Sequence, residues 1–194
     1  MPRNKPRLHL ALYARPKHPD APHYALLICP KDISLRPSQE QQILKHHVLN
    51  RLPISGLASL PWAYEYTRIA SLQSDPRLLI CVVIGKLVVS AEEVAAIVQE
   101  VKVYQGDDED REKAERFDCV EWVRCALEAL RESGAVSDMP EWEVIQEKAL
   151  AFLKREREAG RWDAGGGGQG GPAGERAVPV LELIGGKERI LGAR

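Results

Sequence analysis

The chain has 194 residues, with 27 Lys and Arg against 28 Asp and Glu, a formal net charge of -1. That balance excludes a global field that would draw the protein to nucleic acid or to an anionic membrane surface. A hydrophobic content of 44% and a charged content of 28% fit a globular domain, and no apolar run reaches the length of a membrane-spanning helix.

Residues 1–160 are expected to form a single α+β domain. The prolines and basic residues of the N-terminus do not match a secretory signal, which predicts a cytoplasmic protein. Cys29, Cys81, Cys119 and Cys125 contain no CxxC pair. Reduced thiols are therefore expected, with no structural zinc and no cofactor.

In chain order, RLHLALYA (7–14) alternates as a strand does, and RPKHPDAP (15–22) is a proline-rich turn. HYALLICP (23–30) is a short apolar run ended by proline, which predicts a buried strand. ILKHHVLNRL (43–52) reads as the next strand, antiparallel to it. WAYEYTRIA (62–70) alternates aromatic with polar residues, and RLLICVVIGKLVV (77–89) is apolar and β-branched, with Gly85 expected to bend or end it.

Helices follow. Ser90 and Glu93 have the spacing of a capping box ahead of a stripe of Val94, Ile97, Val98 and Val101. QGDDEDRE (105–112) is expected as an acidic loop or a frayed helix start. A helix over 118–132 carries Cys119, Trp122, Val123, Ala126, Leu127 and Leu130 on one face, with Gly134 placed to stop it. A further amphipathic helix covers 139–158. The glycine-rich stretch 161–176 is expected to be flexible, and the tail 177–194 could add an edge strand. The order predicts an antiparallel sheet of about five strands with three helices on one face.

Cys119 stands at the start of its helix behind Asp118, a suitable N-cap. Unpaired amides at a helix start favour negative charge, so a thiol there is a candidate nucleophile. A nucleophile needs a base, and the base an orienting partner. His23 opens a strand; His46 and His47 lie on the next one. Adjacent strand residues point to opposite faces, so only one of the pair shares a face with His23. Trp122 lies one turn beyond the thiol, and Trp62 and Tyr64 lie on a neighbouring strand. All three are candidates for a substrate wall, or for core.

The segment RFDCVEWV resembles the DC-small-G-hydrophobic-V segment of NlpC/P60 proteins, papain-like thiol hydrolases whose cysteine starts a helix. Here the histidine strands precede the cysteine. That order resembles the circularly permuted branch that includes lecithin:retinol acyltransferase and related small acyltransferases, with HYALLI and ILKHHV as the histidine strands. Those acyltransferases carry NCEHF where this chain has DCVEW. The chain is also similar to a group of small fungal proteins with a strand histidine and a C-x-x-W-V helix. The resemblance implies a permuted papain-like fold with Cys119 as nucleophile, His23 as base and His47, with His46 as the alternative, as the third residue. It implies chemistry on an amide or acyl ester of a small molecule, lipid or peptide. The alternative is a binding protein that keeps the papain-like shape without catalysis.

Overall fold

The computed structural model describes residues 5–31, 43–50, 62–162, 178–184 and 189–191. Most of the glycine-rich stretch lies outside them.

The first five strands are β1 (Arg7–Tyr13), β2 (His23–Cys29), β3 (Ile43–Asn50), β4 (Trp62–Ile69) and β5 (Leu78–Leu87). A 3-10 turn (Leu72–Ser74) lies between β4 and β5, and α1 (Ala91–Gln99) and α2 (Arg111–Arg116) follow them. Then come α3 (Cys119–Glu132), β6 (Val136–Ser137), α4 (Trp142–Glu158), β7 (Val180–Glu182) and β8 (Arg189–Leu191). The strand order is β4-β3-β2-β1-β5-β7-β8, with β6 also paired to β5.

Two expectations need correction. Among the described residues the sheet has eight strands rather than about five. It is also mixed rather than wholly antiparallel, because β7 pairs parallel to β5. The tail residues that read as an optional edge strand form β7, which continues the sheet beyond β5. The acidic segment 105–112 runs into a fourth helix, α2, whose N-cap Asp110 accepts a bond from the Lys113 amide.

Both faces of the central strands are buried, which is why β1, β2 and β5 read as nearly unbroken apolar runs. On one face Leu8, Leu10, Leu12, Leu26 and Ile28 meet the stripe of α3. On the other, Ala11, Tyr13, Ala25 and Leu27 lie under Leu72 and the C-terminal Val178 and Val180. α3 lies on β2 and β3, and α4 lies on β5.

Every stripe residue of α3 is buried, and Trp122 and Val123 are inaccessible. Side chains of this kind each contribute about 1.5–3 kcal/mol on burial. The helix is fixed at both ends. Asp118 Oδ1 accepts from the amides of Val120 and Glu121, each at 2.8 Å. At the other end Gly134 takes a φ of 66°. The Gly134 amide donates to the Arg131 carbonyl and the Ala135 amide to that of Leu130, the pattern that closes a helix over a left-handed residue. The Ser90–Glu93 box forms as the spacing predicts, with both reciprocal bonds present.

Gly85 does not end β5, but the β1–β5 register shifts beside it, Leu8 facing Gly85 and His9 facing Val83. A Cβ there would stand 2.3 Å from Val136 Cγ1, so glycine lets β6 approach β5. Gly85→Ala is expected to cost about 1–3 kcal/mol through overpacking. Urea unfolding measures it, and an unchanged midpoint would mean that β6 yields freely.

Candidate active site

The pairing of β2 with β3 stops early. It joins Leu26 to His46, Leu27 to Lys45 and Ile28 to Leu44. Yet β2 begins at His23 and β3 runs on to Asn50. β3 keeps its ladder with β4 along its whole length. The start of β2, paired to β1 but not to β3, borders through His23 a cleft of about 890 Å3.

Alternation sorts the side chains. Lys45 and His47 share a face of β3, and the β3–β4 register sets Glu65 opposite His47. His23, opposite Tyr13 on β1, lies on the same face. His23 Nε2 and His47 Nδ1 are hydrogen-bonded at 2.8 Å, with the rings edge to face at 5.1 Å. Tyr13, His23, Lys45, His47, Glu65 and Cys119 all line the cleft. Cys119 reaches it from the helix side, across the opened edge of β2. Backbone donors at Tyr24 and at Cys119 itself act on its sulfur.

His46 points to the opposite face, where Nδ1 meets the Tyr64 hydroxyl at 2.8 Å. Tyr64 stacks toward Trp122, with ring centroids 5.8 Å apart. Trp122 is wholly buried in the helix-side core. Neither Tyr64 nor Trp122 is among the described residues that line the cleft; Trp62 is, and it packs edge to face on Phe117 at 5.6 Å. No group of three or more His, Cys, Asp or Glu among the described residues is arranged to hold a metal ion.

Electrostatics set the protonation states. Burial, reinforced by Lys45, Arg15 and Arg77, lowers the pKa of His23 from 6.5 to about 4. Burial and neighbouring cations, Lys45 first, lower that of His47 to about 3. Both rings are therefore neutral at pH 7. One nitrogen of the 2.8 Å bond donates and the other accepts. The Glu65 carboxylate, 3.9 Å from His47 Nε2, favours a proton on that nitrogen. His47 Nδ1 then accepts, and His23 Nε2 donates. Burial raises the Cys119 thiol above its ordinary value and Asp118 adds to this; the Tyr24 amide and Arg15 act in the opposite direction. Neither His23 nor His47 is among the groups acting on the sulfur, and among the described residues no hydrogen bond joins it to an imidazole.

Several cleft residues did not emerge from the sequence. Lys45 is 5% exposed. Its ammonium sits 3.9 Å from the Tyr13 ring centroid and 3.4 Å from Asp75 Oδ2. A lysine alternating with apolar residues in ILKHHVLN was the available signal. Glu65 could be placed only with the β3–β4 register. Arg15, Asp75 and Arg77 come from connections, which carry no periodicity.

Residues 5–190 match the model of a family of unknown function, DUF6914. The chain belongs to that family. No curated protein and no solved structure matches it. The match spans the histidine strands, the cysteine helix and the C-terminal strands together.

His9 and His46 are also buried and held low, His9 to about 3 and His46 to about 4. The unfolded chain binds protons at these four imidazoles near pH 6.5, and the folded chain does not. Stability is therefore lost as pH falls from about 6.5 toward 4, by up to about 1.4 kcal/mol per pH unit for each ring. Melting temperature against pH checks this; a flat profile between about pH 7 and 5 would contradict buried neutral imidazoles.

Proposed function

We propose that the protein is a cysteine-dependent hydrolase or acyltransferase, with Cys119 as nucleophile, His23 as base and His47 as the residue that orients it. The observation that carries this reading is the 2.8 Å bond between His23 Nε2 and His47 Nδ1, in a cleft that Cys119 also lines. The bond occupies Nε2 of His23, so Nδ1 is the nitrogen left to accept a proton. A solvated turn residue does not account for a half-buried His23 hydrogen-bonded to a buried imidazole that a carboxylate backs.

A thiol raised by burial and an imidazole lowered by burial, lining one cleft, are both neutral at rest and form no ion pair. The proton therefore moves from sulfur to His23 as the sulfur attacks the carbonyl carbon. The amides of Tyr24 and Cys119, which act as backbone donors on the sulfur, are the groups assigned to hold the oxyanion that forms. When the carbon–leaving-group bond breaks, the departing amine or alcohol takes the proton from His23. Water, or an acceptor amine or alcohol, then gives its proton to His23 and attacks the thioester. The product carries the acyl group and the thiol is restored.

One observation favours a second reading, a binding protein of the same shape: the thiol is raised, and no imidazole is among the groups acting on it. Acylation separates the two. With p-nitrophenyl acetate, mass spectrometry is expected to find the acetyl group on Cys119 in preference to Cys125. His23→Ala should slow this by about 10²–10⁴-fold, the usual contribution of a positioned base, and His47→Ala should slow it less. Equal acylation of Cys119 and Cys125, indifferent to His23→Ala, would leave the binding protein.

A further inference from the structure

The chain as a whole is nearly neutral, at a formal -1, but the cleft is not. Among the described residues, Arg15, Lys17, Lys45 and Arg77 line it, against the two carboxylates of Glu65 and Asp75. Those carboxylates are already engaged. Asp75 serves two cations, at 3.4 Å from Lys45 Nζ and 3.6 Å from Arg77 Nε. Glu65 stands beside His47. Arg15 has no ion-pair partner among the described residues, and its charge is felt at both His23 and Cys119. Arg77 acts on His23 and His47. The uncompensated positive charge thus surrounds the groups that would react.

A cleft of about 890 Å3 has the size of a small-molecule site. We propose that it takes a small anionic acyl donor, an ester or amide with a carboxylate a few bonds from the scissile carbonyl, the carboxylate seated on Arg15 and Arg77. Guanidinium groups suit this role because their paired donors match the two oxygens of a carboxylate. Lys45, buried beneath and tied to Asp75, adds field from behind without itself reaching for the ligand. Burial is the main cause that holds His23 and His47 low, and the cations add to it; a seated anion offsets that added part, so binding strengthens the base that the reaction needs. The reacting bond rests on the thiol chemistry proposed above; the seat for the anion does not.

Two experiments test the seat. In Cys119→Ala protein with 15N-labelled histidine, succinate is titrated against succinamide. Succinate should shift the ring signals of His23 and His47 to saturation, and Arg15→Gln with Arg77→Gln should weaken it about tenfold or more; succinamide should do neither. Equal response to both compounds, or indifference to the arginine substitutions, would overturn the proposal. In the unsubstituted protein, iodoacetate and iodoacetamide are compared at Cys119 and Cys125. The iodoacetate-to-iodoacetamide rate ratio should be higher at Cys119 and fall in the arginine double variant; equal ratios at the two thiols would overturn it. Succinate bound as expected, with Cys119 inert to both reagents, would support the anion seat and remove the thiol chemistry.

Discussion

The early end of the β2–β3 ladder is the constraint on which the site depends. Were pairing to continue past Leu26 and His46, β3 would close over the start of β2 and the sheet would be sealed there. Because it stops, the first residues of β2 have a free edge. The imidazoles of one sheet face and the helix-mounted thiol of the other then border one cleft. Strand β3 can afford the departure because β4 holds it along its full length, from Ile43–Ile69 to Asn50–Trp62. The helix end is held as firmly: Asp118 caps it, and the apolar stripe behind Cys119 fixes its direction.

Burial gives this site its chemistry and also its cost. The same low-dielectric surroundings keep His23 and His47 neutral and the thiol protonated. A neutral imidazole can accept a proton, whereas an imidazolium cannot, so lowering His23 keeps the base available across the physiological range. It also makes the base weak, and the cations around the cleft weaken it further. An anionic ligand would offset the part that the cations contribute, which ties the proposed binding preference to the reactivity. Lys45 illustrates how such charge is tolerated: its stem is buried, its ammonium faces a ring and a carboxylate, and burial still lowers its pKa.

The elements that the sequence made legible are those with strong periodicity or caps. The stripe of α3, the Ser90 box and the Gly134 stop follow from local rules, and they stand where those rules put them. The four apolar or alternating runs through residue 69 appear as strands with boundaries close to those read from the chain. Strand number was underestimated because β6, β7 and β8 are two, three and three residues long and are held by their neighbours, β6 and β7 by β5 and β8 by β7, not by a pattern of their own. At the site, alternation alone showed that His46 and His47 part company. It could not say which face carries the bond to His23, because that depends on the register of β2 against β1 and β3. Trp122 and Tyr64 read as core more readily than as wall; packing puts both on the helix side, with Tyr64 bonded to His46.

The account turns on whether the Cys119 sulfur gives its proton to His23. The most direct measurement is the rate of carbamidomethylation of Cys119 by iodoacetamide at neutral pH, with and without His23. A rate above that of Cys125, falling at least about tenfold in His23→Ala, is the predicted result, since a positioned base raises the reactivity of a thiol that burial alone would suppress. A rate at Cys119 no greater than at Cys125 and unchanged by His23→Ala would contradict it.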